Sequence, residues 1–164
     1  MTTEQYNLWS LILQLLIWTA MIATFIVYFS QLRAMQRGAV GQNIVSLVNF
    51  LQAPYVRDAR RTVRASLKAK LYEHWTEKEK RDASLVCSTY DAASILIYRQ
   101  GLVPPDPFIK NWGASIKDCY EICKDHITEM QKEENSGPLY WTNFVVLYNA
   151  VMTDRSVAVR PKAR

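Results

Sequence analysis

Residues Leu8 to Phe29 are 22 consecutive positions with no charge, proline or glycine. At 1.5 Å per residue, a helix of that length crosses roughly 30 Å of hydrocarbon. The spacing predicts a transmembrane helix over 8–29. Within it Ser10, Gln14, Thr19 and Thr24 interrupt the apolar residues, and Trp9 and Tyr28 stand near the two ends, as interfacial anchors do.

The flanks set an orientation. Arg33 and Arg37 come after the apolar run, whereas Glu4 precedes it with no Lys or Arg. By the positive-inside rule residues 1–7 are extracytoplasmic and the rest lies on the cytoplasmic side of the cell inner membrane. A secretory signal would start basic and end in small residues, and this segment does neither. Cys87, Cys119 and Cys123 are odd in number, as suits a reducing compartment where structural disulfides are rare.

The chain beyond the apolar run is long enough for one compact domain. Residues 30–42 read as a juxtamembrane linker with a flexible joint at Gly38 to Gly41, residues 43–153 as the domain, and residues 154–164 as a disordered basic tail. The net charge is +5, but the domain itself has 14 basic and 13 acidic residues. Six of its basic residues fall between positions 57 and 70, opposed there only by Asp58. This is a local basic patch, not a uniformly nucleic-acid-seeking surface.

Periodicity is helical throughout, which predicts an all-α fold: one transmembrane helix and then a cytosolic bundle of about four to five helices. Asn43 is placed to cap a short helix with the stripe Ile44, Leu47, Val48 and Leu51, ended by Pro54. A second helix is expected from about Tyr55 to Tyr72, with Val56, Ala59, Val63, Leu67 and Leu71 inward. Its outward stripe is Arg57, Arg61, Arg64 and Lys68. Thr76 and Glu79 form a capping-box pair opening a third helix, which Gly101 stops near Gln100. Asp106 as N-cap and Pro107 in the first turn open a fourth, whose apolar stripe is Ile109, Trp112, Ile116, Cys119, Cys123, Ile127 and Met130. After a turn at Asn135 to Pro138, the apolar run Leu139 to Met152 is too short to span a bilayer and is expected to be the central packing helix.

The arginine-bearing "YVRDARRTV", the junction "YDAASILIYRQGLVPPDPF", the Trp-bearing helix and the closing "LYWTNFVVLY" resemble an uncharacterised bacterial family. Its members join one membrane helix to a small cytosolic all-helical domain of unknown function. The likeness implies that architecture and carries no catalytic residue. A second resemblance is to the membrane-anchored helical accessory proteins of RNA-targeting CRISPR systems, and it implies a place in antiviral defence. Their domain is similar to helical ribonucleases that use Arg, four to six residues, then His. Here the positions that would hold that arginine are Leu67, Lys68 and Ala69 ahead of His74, and Cys119, Tyr120 and Glu121 ahead of His126. The motif is absent, and no enzyme is expected.

Other chemistry is weighed residue by residue. Cys119, Cys123 and His126 share a helix face, and Cys87 would be a fourth zinc ligand, but both helix cysteines continue an apolar stripe, which favours core packing. His74 and His126 read as surface or helix-edge histidines. Glu121, Asp125 and Glu129 read as a solvated acidic stripe or a partner for the basic helix. Asp91 reads as a buried structural partner for an arginine. There is no phosphate-binding glycine loop and no G-x-S-x-G turn, so no catalytic, cofactor-binding or metal residue is assigned.

Arg57, Arg60, Arg61, Arg64 and Lys68 are assigned instead as contacts for anionic membrane lipid or a protein partner. Nucleic acid ranks below these, because no aromatic residues interleave with the basic ones. The expected function is a membrane-tethered interaction or scaffold module recruiting a protein partner at the cytoplasmic face. The alternative is an oligomeric pore or membrane-perturbing effector. A homo-oligomer would use Gln14, Thr19, Ala20, Ala23 and Thr24 as the helix–helix surface.

Overall fold

The structure, a computed structural model, describes residues 3–154. The expected disordered tail, apart from Asp154, lies outside the described residues. The described residues are helical with no strand: α1 (Thr3–Gln52), α2 (Pro54–Thr62), α3 (Glu77–Ser94), α4 (Pro105–Met130) and α5 (Thr142–Thr153). They divide into two units, residues 1–42 and 43–164.

In the first unit α1 is exposed from Trp9 to Phe29. It is, among the described residues, the one helix long and apolar enough to cross a membrane, by length and composition. The Thr19 hydroxyl donates to the Leu15 carbonyl at 2.7 Å and that of Thr24 to Ala20 at 2.8 Å. Arg33 lays its guanidinium 4.7 Å from the centre of the Phe29 ring, at the end of the run.

The expected joint at Gly38 to Gly41 is not there: α1 is helical through both glycines. A glycine inside a helix costs only about 1 kcal/mol relative to alanine, too little to break a helix whose neighbours are good formers and whose next proline is Pro54. Asn43 is accordingly no cap. It lies within α1 and its side chain donates to the Leu102 carbonyl at 3.3 Å.

In the second unit, Leu47 and Leu51 enter the core from the end of α1. Ala53, extended at ψ 137° as residues before proline tend to be, breaks the chain direction, and Pro54 opens α2. Past Thr62 the helix widens into a π-type turn over Val63–Leu67 and stops, well short of Tyr72. Val56, Ala59, Val63 and Leu67 are buried as their spacing predicts, but Leu71, beyond that stop, is 71% exposed. The chain resumes as a single turn at Tyr72–His74. Thr76 and Glu79 then make the reciprocal capping box that starts α3.

The centre of this unit is α3, which packs against α2, α4 and α5. That corrects the expectation for the last helix: α5 packs against α3 and α4 and leaves Val146 and Met152 exposed. α5 also starts later than expected, at Thr142, with Leu139 exposed before it. α4 opens at Pro105 with Pro104 as N-cap, so Asp106 is a first-turn residue rather than the cap. Gly101 and Gly137 take positive φ of 61° and 87°, ending the turns that come after α3 and α4. Trp141 takes φ 54°, a conformation costing a non-glycine residue about 1–2 kcal/mol. Burial of its ring and the hydrogen bond from its Nε1 to Ser88 Oγ at 3.0 Å offset that cost.

Candidate functional site

An open groove of about 1200 Å³ lies between α2 and α4 in the second unit. The register of α2 builds its basic wall, since Val56, Ala59 and Val63 point to the core and Arg57, Arg61 and Arg64 turn outward. The opposite wall carries Asp118, Glu121 and Asp125 of α4. One ion pair ties the two, Arg64 Nη2 to Asp118 Oδ2 at 2.8 Å.

Arg60 departs from its neighbours. Expected in the exposed basic group, it is 7% exposed, because its position on α2 faces the end of α1 and Trp112. Its Nη2 donates to the Leu51 carbonyl at 2.6 Å, and its guanidinium lies 4.7 Å from the Trp112 ring centre. Its Nη1 is buried with no hydrogen-bond partner. Arg60 lines the groove together with Trp112 and Ser115. Behind Ser115, Tyr90 shares a hydrogen bond with its Oγ at 2.9 Å. Burial pushes the Tyr90 phenol up to about 12, outweighing the hydrogen bonds of Ser115 and Arg60 and the Arg60 charge that pull the other way.

At the far end of the groove, Lys70 Nζ donates to Glu79 Oε2 at 2.7 Å. That bond, and after it the Thr76 backbone N–H, lowers the Glu79 carboxyl to about 2. Arg57, Arg61 and Lys68 have no ion-pair partner among the described residues. Glu121 lies 3.9 Å from Lys117 on its own helix, and Glu129 pairs with Lys132 at 2.6 Å. Among the described residues the acidic stripe makes no ion pair with the basic helix; α4 pairs with it through Asp118, outside the stripe.

A second polar cluster surrounds His126, which is buried rather than at a surface or helix edge. It is three residues after Cys123 on the buried face of α4, a spacing that itself points inward. Its Nε2 is 2.8 Å from Ser84 Oγ and its Nδ1 3.3 Å from the Tyr72 hydroxyl, with Trp75 and Trp141 against the ring. Burial, and secondarily Lys80, lowers its pKa, so the native imidazole is neutral. Ser84 sits within α3, where its own N–H belongs to the helix and forms no oxyanion donor. The arrangement anchors Tyr72 and α3 to α4. His74 is exposed.

Cys87, Cys119 and Cys123 are free, buried thiols. Burial pushes the Cys119 thiol up to about 12, and burial with a Cys123 hydrogen bond raises Cys87 well above the ordinary value. Both ring nitrogens of His126 are engaged elsewhere, and among the described residues no group of three or more His, Cys, Asp or Glu is placed to hold a metal. Asp91 pairs with no arginine among the described residues. Its Oδ1 accepts the Phe144 N–H at 3.0 Å and its Oδ2 the Asn143 side chain at 3.1 Å.

The model of a domain of unknown function, DUF4760, matches residues 17–151. The chain belongs to the DUF4760 family. No curated protein and no solved structure matches it. The DUF4760 match takes in most of the apolar run of α1 and every residue lining the groove.

Proposed function

We propose that this DUF4760 protein is a membrane-tethered interaction module, anchored by α1 with its N-terminus outside and presenting its helical domain to a partner at the cytoplasmic face of an inner membrane. The observation that supports this reading is the pairing of one helix that carries a long exposed apolar run with a second unit that has its own core and a charged groove. An anchor and a docking face are what recruitment needs.

Native mass measurement of the full chain in detergent tests it. A monomer or dimer fits a tethered module. A closed ring of higher order would overturn it in favour of a pore.

A further inference from the structure

We infer that the groove between α2 and α4 is a binding site for a phosphate-bearing ligand, held by Arg60 together with Arg57, Arg61 and Lys68. This rests on the groove alone and is independent of the tether.

The charges decide it. Arg64 and Lys70 are already matched by Asp118 and Glu79. Arg57, Arg61 and Lys68 are not matched by any carboxylate among the described residues. Arg60 is buried against a carbonyl, an indole face and the Tyr90 hydroxyl, with no carboxylate paired to it among the described residues. Buried charges are ordinarily paired, and a guanidinium presents a planar fork that fits phosphate oxygens two at a time. A phosphate arriving in the groove beside Arg60, Arg57, Arg61 and Lys68 supplies the missing negative charge.

The other wall limits what else the ligand carries. Glu121 and Asp125 would repel a polyanion laid along the whole groove, which disfavours a nucleic-acid backbone. At about 1200 Å³ the groove is also larger than a bare phosphate needs. The fitting ligand is a compact phosphate group with a neutral or cationic remainder lying toward Trp112 and α4. A lipid headgroup and a soluble phosphate compound both have that chemistry.

The test titrates inorganic pyrophosphate into the full chain, at fixed ionic strength, in neutral detergent and in nanodiscs of phosphatidylcholine with or without phosphatidylglycerol, monitored by calorimetry. Saturable one-to-one binding is expected, weakened about tenfold by Arg61→Gln and by Lys68→Gln, each removing one charge-assisted contact from an exposed position where folding is not at risk. Lys78→Gln, an equal change in net charge away from the groove, leaves affinity unchanged. Loss of apparent pyrophosphate affinity on adding phosphatidylglycerol identifies the lipid headgroup as the source, and unchanged affinity a soluble compound. Absence of saturable pyrophosphate binding, or equal weakening by Lys78→Gln, would overturn the site.

Discussion

Asp91, deep in α3, accepts the backbone N–H of Phe144 at 3.0 Å, so a carboxylate on one helix caps the start of another. α5 has no side-chain cap of its own, since its N-cap is Trp141. Asp91→Ala should therefore cost about 1–3 kcal/mol, the usual penalty for stranding a buried donor, read as a lower urea midpoint by tryptophan fluorescence. Asp91→Asn keeps one acceptor for Phe144 but sets an amide against the Asn143 amide. Its midpoint should fall between those of wild type and Asp91→Ala.

His126 makes stability pH-dependent. Its native pKa lies below the ordinary 6.5 because burial disfavours the charged ring. The unfolded chain therefore takes up the proton first, and stability rises with pH between the two values. The contribution is complete above about 6.5 and is lost as pH falls below it. Glu79 acts in a more acid range, its contribution complete above 4.5 and lost as pH falls toward about 2. Melting temperatures taken between pH 5 and 7.5 should drop toward the acid end in wild type and stay nearly flat in His126→Gln. An equal drop in both proteins would show that the histidine is not the titrating group.

How far the sequence reveals this molecule depends on which interaction decides each feature. Capping by Thr76 and Glu79, and the stripes Val56–Ala59–Val63 and Ile116–Cys119–Cys123, are local, set by spacing along one helix, and are legible. The run of helix through Gly38 and Gly41 is not, because two glycines read as a joint while the penalty they impose is small beside the hydrogen bonding of their neighbours. Arg60 and Asp91 escape a sequence reading for a common reason: their partners, Leu51 with Trp112 and Asn143 with Phe144, are fixed by packing between helices. The outward stripe Arg57, Arg61, Arg64 and Lys68 is exposed as its spacing predicts, and Arg60, assigned with them as a contact, is buried.

The thiols offer a direct check on burial. Cys119, pushed up to about 12, and Cys87, raised by burial beside Cys123, remain protonated at neutral pH, and it is the thiolate that reacts. In the folded full chain, maleimide at pH 7.5 should label none of the three cysteines over minutes, and in 8 M urea all three, counted by intact mass. Rapid labelling of the native chain would show that the α3–α4 core opens to solvent.

The proposed orientation across the membrane rests on Arg33 and Arg37 standing after the apolar run while residues 1–7 hold Glu4 and no Lys or Arg. A C-terminal alkaline phosphatase fusion is expected to be inactive and a C-terminal green fluorescent protein fusion bright. Active phosphatase at the C-terminus would reverse the topology. Moving the basic pair, by Arg33→Gln and Arg37→Gln with Thr2→Lys and Thr3→Lys, should shift part of the population to that reversed state.

Self-association through α1 is the last expectation, and the structure narrows its chemistry. The Thr19 and Thr24 hydroxyls are already bonded to carbonyls of their own helix, at 2.7 and 2.8 Å. They therefore contribute small volume to a helix–helix contact and not hydrogen bonds across it. Of the residues assigned to that surface, Gln14 is left able to donate and accept between helices in a bilayer, worth about 0.6–2 kcal/mol per bond. Gln14→Leu should weaken crosslinked dimers in native membranes several-fold, and Ala20→Leu or Ala23→Leu should do so by holding the backbones apart. Each change adds apolar surface, so insertion is retained and a lost dimer cannot be ascribed to a lost anchor. Crosslinked species unchanged in all three variants would remove α1 from any interface between copies.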